Sequence, residues 1–215
     1  MRFLTRLAAA AAVLAVGAGS AAAKDWTVVR IAMDATYPPF ESLDASGQIV
    51  GFSKDIADAL CERMKVTCEF SNQAWDGIIP GLLANKYDAI LSSMSITEER
   101  KLQIDFTDKY YNTPPAVAVP IDSTLKGVTP EDLTGITIGA QTSTTHANYA
   151  QEKFPGAELK IYPSPDEYKL DLQNGRLDAA IDDVVVLSTW VDSPEGACCK
   201  VLGALPRCAG IGRPS

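Results

Sequence analysis

The sequence predicts an α/β fold of two similar lobes, each a mainly parallel sheet flanked by helices. Strand and helix patterns alternate along the chain, which is typical of such sheets. The segment 177–181 (Leu-Asp-Ala-Ala-Ile) also repeats the pattern of 87–91 (Tyr-Asp-Ala-Ile-Leu). In both halves a strand ends in a polar corner that leads into a helix. The repeated unit therefore indicates two lobes, at 24–111 and 112–203.

Each predicted strand and helix follows from the residues within it and at its ends. β-Branched and apolar residues fill the predicted strands, helical spacing of apolar residues marks the helices, and Gly47 and Gly175 mark a turn and a helix end. The predicted strands are 27–33, 49–52, 66–70, 116–120, 136–140 and 158–162, and the predicted helices are 55–65, 75–83, a segment after 95, a segment through 149 and 154, and 166–174.

Composition limits the partners. The chain has 215 residues, 47% of them hydrophobic and 21% charged, which suits one large or two small globular domains. Its formal net charge is −8. A negative field attracts neither nucleic acid nor an anionic membrane surface, so both are excluded as expected partners.

Residues 1–23 have the organisation of a secretory signal. Arg2 and Arg6 form a basic region, 7–16 is an apolar run too short to span a bilayer, and alanines at 21–23 form a cleavage site. An uncleaved membrane anchor is the alternative. The signal predicts a mature chain that starts at Lys24 and works in an oxidising compartment.

Two of the cysteines have a spacing that suits a disulfide, which an oxidising compartment allows. Cys61 and Cys68 bracket a short segment, and a disulfide closing it would add about 2–3 kcal/mol in the chain-entropy model. Zinc is the rival interpretation, but His146 is the only histidine and no second cysteine pair is near, so no metal is expected. The pairing of the remaining cysteines stays open; they are Cys198, Cys199 and Cys208.

The polar corner of the first half is the strongest candidate site. Ser92, Ser93 and Ser95 end an apolar run, and Ser95 has the spacing of a helix N-cap, with Glu98 completing a capping box. Arg100 follows one turn later and can hold a carboxylate by two parallel hydrogen bonds. These residues predict a carboxylate clamp. The alternative is a surface helix with an ordinary capping box and a solvated arginine.

Four further residues are candidates with structural alternatives. Asp34 and Tyr37 follow the first strand, where ligands bind in open α/β sheets, although Asp34 also suits a turn. Trp75 would face the crevice or fill the core. Asp183 ends a strand and could accept hydrogen bonds from a ligand ammonium, although it or Asp182 could instead cap the next helix.

Taken together, these motifs resemble the periplasmic polar amino-acid binding proteins of ABC importers, which include lysine/arginine/ornithine, histidine and glutamine receptors. The residues that carry the resemblance occur in family order from about 27 to 190. They are 34–41 (Asp-Ala-Thr-Tyr-Pro-Pro-Phe-Glu), Gly51-Phe52, 92–100 (Ser-Ser-Met-Ser-Ile-Thr-Glu-Glu-Arg), Phe106-Thr107, Thr144-Thr145 and 175–179 (Gly-Arg-Leu-Asp-Ala).

The resemblance implies a type II periplasmic binding protein that closes on one amino acid without a cofactor and passes it, as a monomer, to a membrane permease. It assigns the ligand carboxylate to Ser92, Ser93, Ser95, Arg100, Thr144 and Thr145, and the ammonium to Asp183. It also implies that Tyr37 and Trp75 sandwich the ligand side chain and that Asp34 contacts its polar end. The Cys61–Cys68 pairing likewise resembles one subgroup of the family.

Two features depart from the family pattern. Members for basic ligands often carry an acid directly after Gly-Phe, where this chain has Ser53. The segment 204–215 has no sustained period, and a truncated or frameshifted C-terminus is the expectation. The short C-terminus makes a non-functional remnant one rival function, and a prephenate or arogenate dehydratase-like enzyme is the other, since some such enzymes resemble these receptors. Catalysis is not expected, because no serine–histidine–aspartate order is evident and His146 suits an exposed helix position.

Overall fold

A computed structural model describes residues 26–206, so the predicted signal, most of the predicted tail and Cys208 lie outside the described residues. The predicted α/β fold is confirmed. The strands are β1 Val28–Met33, β2 Thr36–Tyr37, β3 Glu41–Leu43, β4 Ile49–Val50, β5 Thr67–Asn72, β6 Ala89–Ile90, β7 Pro115–Pro120, β8 Thr137–Gln141, β9 Glu158–Tyr162, β10 Ala179–Asp183 and β11 Cys199–Ala204. The helices are α1 Phe52–Met64, α2 Trp75–Leu83, α3 Glu98–Lys101, α4 Thr145–Lys153, α5 Pro165–Gln173 and α6 Val184–Val191.

The first lobe is built on a parallel sheet of order β5-β1-β6. Side chains of β1 alternate between its two faces, as a strand requires. Ile31 and Met33 pack with Ala57 of α1, whereas Ala32 packs with Ile78 of α2 on the opposite side. Helices therefore cover both faces of β1, and its carboxyl end is left pointing toward the second lobe.

The second lobe contains a sheet of order β11-β7-β10-β8-β9. Strands β10, β8 and β9 are parallel, β7 pairs antiparallel with β10, and β11 pairs antiparallel with β7 at the edge of the sheet. Val117 and Val119 of β7 pack into one cluster with Phe154, while Ala116 and Ala118 face the other cluster. This sheet is thus also buried on both faces.

The start of α1 differs from the prediction, because the helix begins at Phe52 rather than at 55. Gly51 has a φ of 116°, and a Cβ at this position would lie 2.6 Å from the backbone oxygen of Phe40. Glycine therefore permits the close approach that starts the helix early. The predicted disulfide is confirmed, and it joins Cys61 of α1 to Cys68 of β5.

The segment between the lobes is anchored at both ends. Tyr111 stacks on Phe40 with ring centroids 4.5 Å apart, which fixes the segment to the first lobe. The backbone oxygen of Pro114 then accepts a hydrogen bond from Val184 of the second lobe. Strand β11 reaches one residue into the predicted tail, and Leu205 is buried in the second lobe. Within residues 26–206, every helix is too short or too polar to cross a membrane.

Candidate functional site

A cavity lies between the two lobes, at the carboxyl end of β1. Nine of the ten predicted ligand-binding residues line it, and the tenth, Asp183, lines an adjoining cavity of about 270 Å³ that shares Tyr37 and the serines. The nine are Asp34, Tyr37, Trp75, Ser92, Ser93, Ser95, Arg100, Thr144 and Thr145, and the cavity adds Glu41, Gln141 and His146. The structure thus brings the predicted residues together around one cleft.

The cap of helix α3 corrects the prediction. Thr97, not Ser95, is the N-cap, because the Thr97 hydroxyl accepts a hydrogen bond from the backbone N–H of Arg100. Ser95 instead places its hydroxyl 3.3 Å from that of Thr145 in the other lobe. The helix has only four residues, so its dipole is small. The positive charge at this end of the cleft therefore comes from the Arg100 side chain.

Arg100 is held by backbone oxygens on both sides of the cleft. Its guanidinium donates to Ser95 O at 2.7 Å and to Ser143 O at 2.9 Å, and it lies 5.3 Å from the ring centre of Trp75. The side chain is 9% exposed, and burial lowers the pKa of its guanidinium. Arginine nevertheless remains protonated in proteins. The alternative of a solvated surface arginine is wrong.

Asp34 marks the acidic end of the cleft. Its carboxylate accepts hydrogen bonds from Thr36 at 2.9 Å and from Gln141 of the second lobe at 3.2 Å. Its backbone N–H donates to the hydroxyl of Ser92 at 2.7 Å. Burial raises the pKa of the Asp34 carboxyl, and the hydrogen bonds from Thr36 and Gln141 oppose that rise.

Glu41 was missed by the sequence analysis, although it stands in the motif 34–41. Its side chain is fully buried and accepts hydrogen bonds from Ser93 at 3.1 Å and, more weakly, from Ser92 at 3.5 Å. Burial raises the pKa of the Glu41 carboxyl to about 8. Ser53 lies next to this carboxyl. A carboxyl group thus lies beside Ser53, the position where the resemblance implies an acid for basic ligands.

The polar corner of the second lobe supplies a capped helix. Thr144 is the N-cap of α4, because its hydroxyl accepts from Ala147 N–H at 3.1 Å and donates to Gln141 O at 2.7 Å. The hydroxyl proton of Thr144 is therefore engaged within the lobe, and Thr145 is the threonine that faces Ser95. Trp75 also reaches this corner, and its indole N–H donates to Ser143 O at 3.2 Å.

Asp183 has the helix-capping role, which the sequence offers as the alternative to binding a ligand ammonium. Its carboxylate caps α6 by accepting from Val185 N–H at 2.7 Å, and it also accepts from the hydroxyl of Thr113. Burial raises the pKa of the Asp183 carboxyl. Its neighbour Asp182 is not a cap. That side chain points into the interior and contacts Tyr37 of the first lobe.

The expectation of an exposed His146 is wrong. Its side chain is 15% exposed, and its Nδ1 lies 3.1 Å from a carboxylate oxygen of Asp182. It lines both cavities. Sequence reasoning had no signal for this, because the interacting carboxylate is on a distant strand. No group of three or more metal-binding side chains occurs within residues 26–206.

Comparisons with known proteins agree with this geometry. The sequence profile described as bacterial extracellular solute-binding proteins, family 3, matches residues 29–154. The putative ABC transporter arginine-binding protein 2 of Escherichia coli K12 is 42% identical over 168 residues, which are 78% of this chain and 68% of that protein. The chain spans about two thirds of the length of its curated relatives.

Solved structures are similar over most of the chain. An ancestral arginine-binding protein bound to arginine has a TM-score of 0.79 and 33% identity, over 87% of this chain and 82% of that one. An ancestral amino acid-binding protein that is a precursor of cyclohexadienyl dehydratase has a TM-score of 0.77 and 32% identity, over 83% and 78%. The neighbours share the two-lobed fold of type II periplasmic binding proteins.

Proposed function

The chain belongs to family 3 of the bacterial extracellular solute-binding proteins, and from that premise we propose that it captures a cationic amino acid, such as arginine, between its lobes and delivers it to an ABC importer. The single observation that carries the proposal is the cleft itself. One cavity is lined by a buried guanidinium and by two buried carboxyl groups.

The two ends of this cleft match the two ends of the ligand. Arg100 and the N–H groups beside it face the ligand carboxylate, since a planar guanidinium holds a carboxylate by two hydrogen bonds. Asp34 and Glu41 face the cationic side chain. Asp183 takes the α-ammonium, and Tyr37 and Trp75 stack on the aliphatic part. An amino acid bridging both ends would neutralise charges that are otherwise buried separately.

The first experiment is a thermal-shift panel on the chain starting at Lys24, with arginine, lysine, ornithine, histidine, glutamine and octopine. Ligand at 100 times its dissociation constant should stabilise the folded protein by roughly 2.7 kcal/mol. We expect arginine-like cations to raise the unfolding temperature most. The shift should disappear in Arg100→Met, because that variant loses the cation that meets the ligand carboxylate.

Arg176→Met is the matched control, since Arg176 is exposed on the second lobe and pairs with Asp171. Its thermal shift should equal that of the unchanged protein. Equal losses in the two variants would mean that the effect of Arg100 is not specific to the site. A shift with glutamine alone would reject the cationic ligand but keep the receptor.

An enzyme is the second candidate, because one structural neighbour is a precursor of a cyclohexadienyl dehydratase. That neighbour is itself an amino acid-binding protein, and the close curated relatives are binding proteins. We therefore propose that binding is the whole function. Incubation with prephenate, followed by a search for phenylpyruvate, tests the alternative directly.

The remaining assignments belong to the same proposal. We propose a monomer in the periplasm, with residues 1–23 removed as a signal, a first lobe over 24–111 and a second lobe over 112–203. The disulfide between Cys61 and Cys68 supports an oxidising compartment. We propose that docking to the membrane permease requires the two lobes to close.

A further inference from the structure

Asp182 is a buried carboxylate that none of the predicted roles uses. It is the fourth residue of β10 and is 2% exposed. One carboxylate oxygen accepts from the backbone N–H of Asp183 at 2.7 Å and from the hydroxyl of Tyr37, and the other accepts from the hydroxyl of Tyr168. Three donors thus hold the Asp182 carboxylate in one position, as is usual for a buried polar group whose hydrogen bonds are satisfied.

The two tyrosines reach Asp182 from different lobes. Tyr168 belongs to α5 and is fully buried within the second lobe. Tyr37 ends β2 in the first lobe and lines the cleft, so its bond to Asp182 crosses between the lobes. The same carboxylate therefore makes one bond that survives opening of the cleft and one that must break when the lobes part.

Two nitrogen-bearing side chains of the second lobe lie near Asp182. His146 Nδ1 lies 3.1 Å from its carboxylate, and the ammonium of Lys169 is a charged neighbour that is largely buried. His146 belongs to α4, whose N-terminus carries Thr144 and Thr145. Asp182 thus touches the wall of the cleft on one side and the opposite lobe on the other.

We propose that Asp182 is a positioning residue that acts as the closing latch of the cleft, holding Tyr37 of the first lobe in place over the bound ligand. The proposal rests on the proposed function. Ligand enters while the lobes are apart, and closure brings the Tyr37 hydroxyl onto Asp182, which keeps the ring of Tyr37 against the ligand side chain. Release of ligand then requires the hydrogen bond between Tyr37 and Asp182 to break.

The test compares two variants that each remove one hydroxyl from the same carboxylate. Tyr37→Phe keeps the aromatic ring and removes the bond between lobes, whereas Tyr168→Phe removes only the bond within the second lobe. A hydrogen bond to a charged group changes an equilibrium by about tenfold to a hundredfold. We expect stopped-flow dissociation of arginine to be faster by about that factor in Tyr37→Phe and nearly unchanged in Tyr168→Phe.

A double mutant identifies the partner. Once Asp182→Ala has removed the acceptor, adding Tyr37→Phe should not speed release further. Equal release rates for the two tyrosine variants, or full additivity in the double mutant, would overturn the latch. If Asp182→Ala does not fold, the two tyrosine variants decide alone.

The latch can also be tested without ligand, which separates it from the proposed function. If the unchanged protein binds none of the amino acids, the proposed function fails and the dissociation rate of a ligand cannot be measured. Small-angle X-ray scattering then decides the latch. A larger radius of gyration for Tyr37→Phe than for Tyr168→Phe supports it, and identical radii reject it.

Discussion

Glu41 shows what burial does to a single side chain, because it is fully buried and its carboxyl has a pKa of about 8. In the unfolded chain a glutamate titrates near its ordinary value, which is about 4.3. Between these two values the unfolded chain loses a proton that the folded protein keeps. The contribution of Glu41 to stability is therefore fully present below the lower value and is lost as the pH rises toward 8.

Replacing Glu41 by glutamine should flatten this pH dependence. We expect the ligand-free Glu41→Gln variant to gain stability relative to the unchanged protein as the pH rises from 5 to 8, by at most about 1.4 kcal/mol per pH unit. Urea unfolding at several pH values measures this. Glu62→Gln is the control, since Glu62 is an exposed residue of α1. Parallel curves for Glu41→Gln and the unchanged protein would contradict the prediction.

The charge of the ligand could not be predicted from the residue at position 53 alone. The absence of an acid at Ser53 argues against a cationic ligand when it is considered alone. The fold changes that conclusion, because β3 places Glu41 beside Ser53. Nothing in the local pattern of Glu41 separates a buried carboxyl from an ordinary turn residue, since its hydrogen-bond partners Ser92 and Ser93 lie about fifty positions away in the chain.

At the scale of elements, the short helix α3 depends on its first residue. Thr97→Ala removes the hydroxyl that accepts from Arg100 N–H, so it should lower the free energy of unfolding by about 1 kcal/mol. The same variant should weaken ligand binding, because Arg100 lies on this helix. Urea unfolding of the ligand-free protein measures the first effect.

Ser95→Ala is the matched comparison, since sequence spacing alone assigns the cap to Ser95. Its hydroxyl contacts Thr145 across the cleft and caps nothing, so the helix should keep its stability. A larger loss of stability in Ser95→Ala than in Thr97→Ala would reject the assignment of Thr97. Serine and threonine both suit a helix N-cap, so residue type does not choose between Ser95 and Thr97. The path of the backbone after β6 makes Thr97 the cap.

Other elements followed the sequence more closely. The strand of β-branched residues at β1 and the helices α2 and α5 were predicted to within two residues of their bounds, because apolar spacing alone determines them. Helix α1 begins three residues before its predicted start. Its start depends on the close approach of Gly51 to the backbone of Phe40, and the spacing of apolar residues does not predict such a tertiary contact.

At the scale of the whole molecule, the cleft is closed by contacts between residues far apart in the chain. Gln141 bonds to Asp34 over 107 positions, and Tyr37 bonds to Asp182 over 145. Residue patterns identified most of the side chains that line the cleft, because each lies at a recognisable corner. They could not identify these pairs, since the pairing follows only from how the two lobes meet.

Trp75 gives this closure an optical consequence. Its indole N–H bonds to Ser143 O of the opposite lobe, so its surroundings change when the lobes separate. Trp26 is 44% exposed and Trp190 is 8% exposed within the second lobe, and neither lies in the cleft. Fluorescence emission should therefore shift to longer wavelength when the lobes open, and Trp75→Phe should abolish that shift. The fluorescence of Trp75 therefore reports whether the lobes are closed, and arginine binding can be followed by it without an added dye.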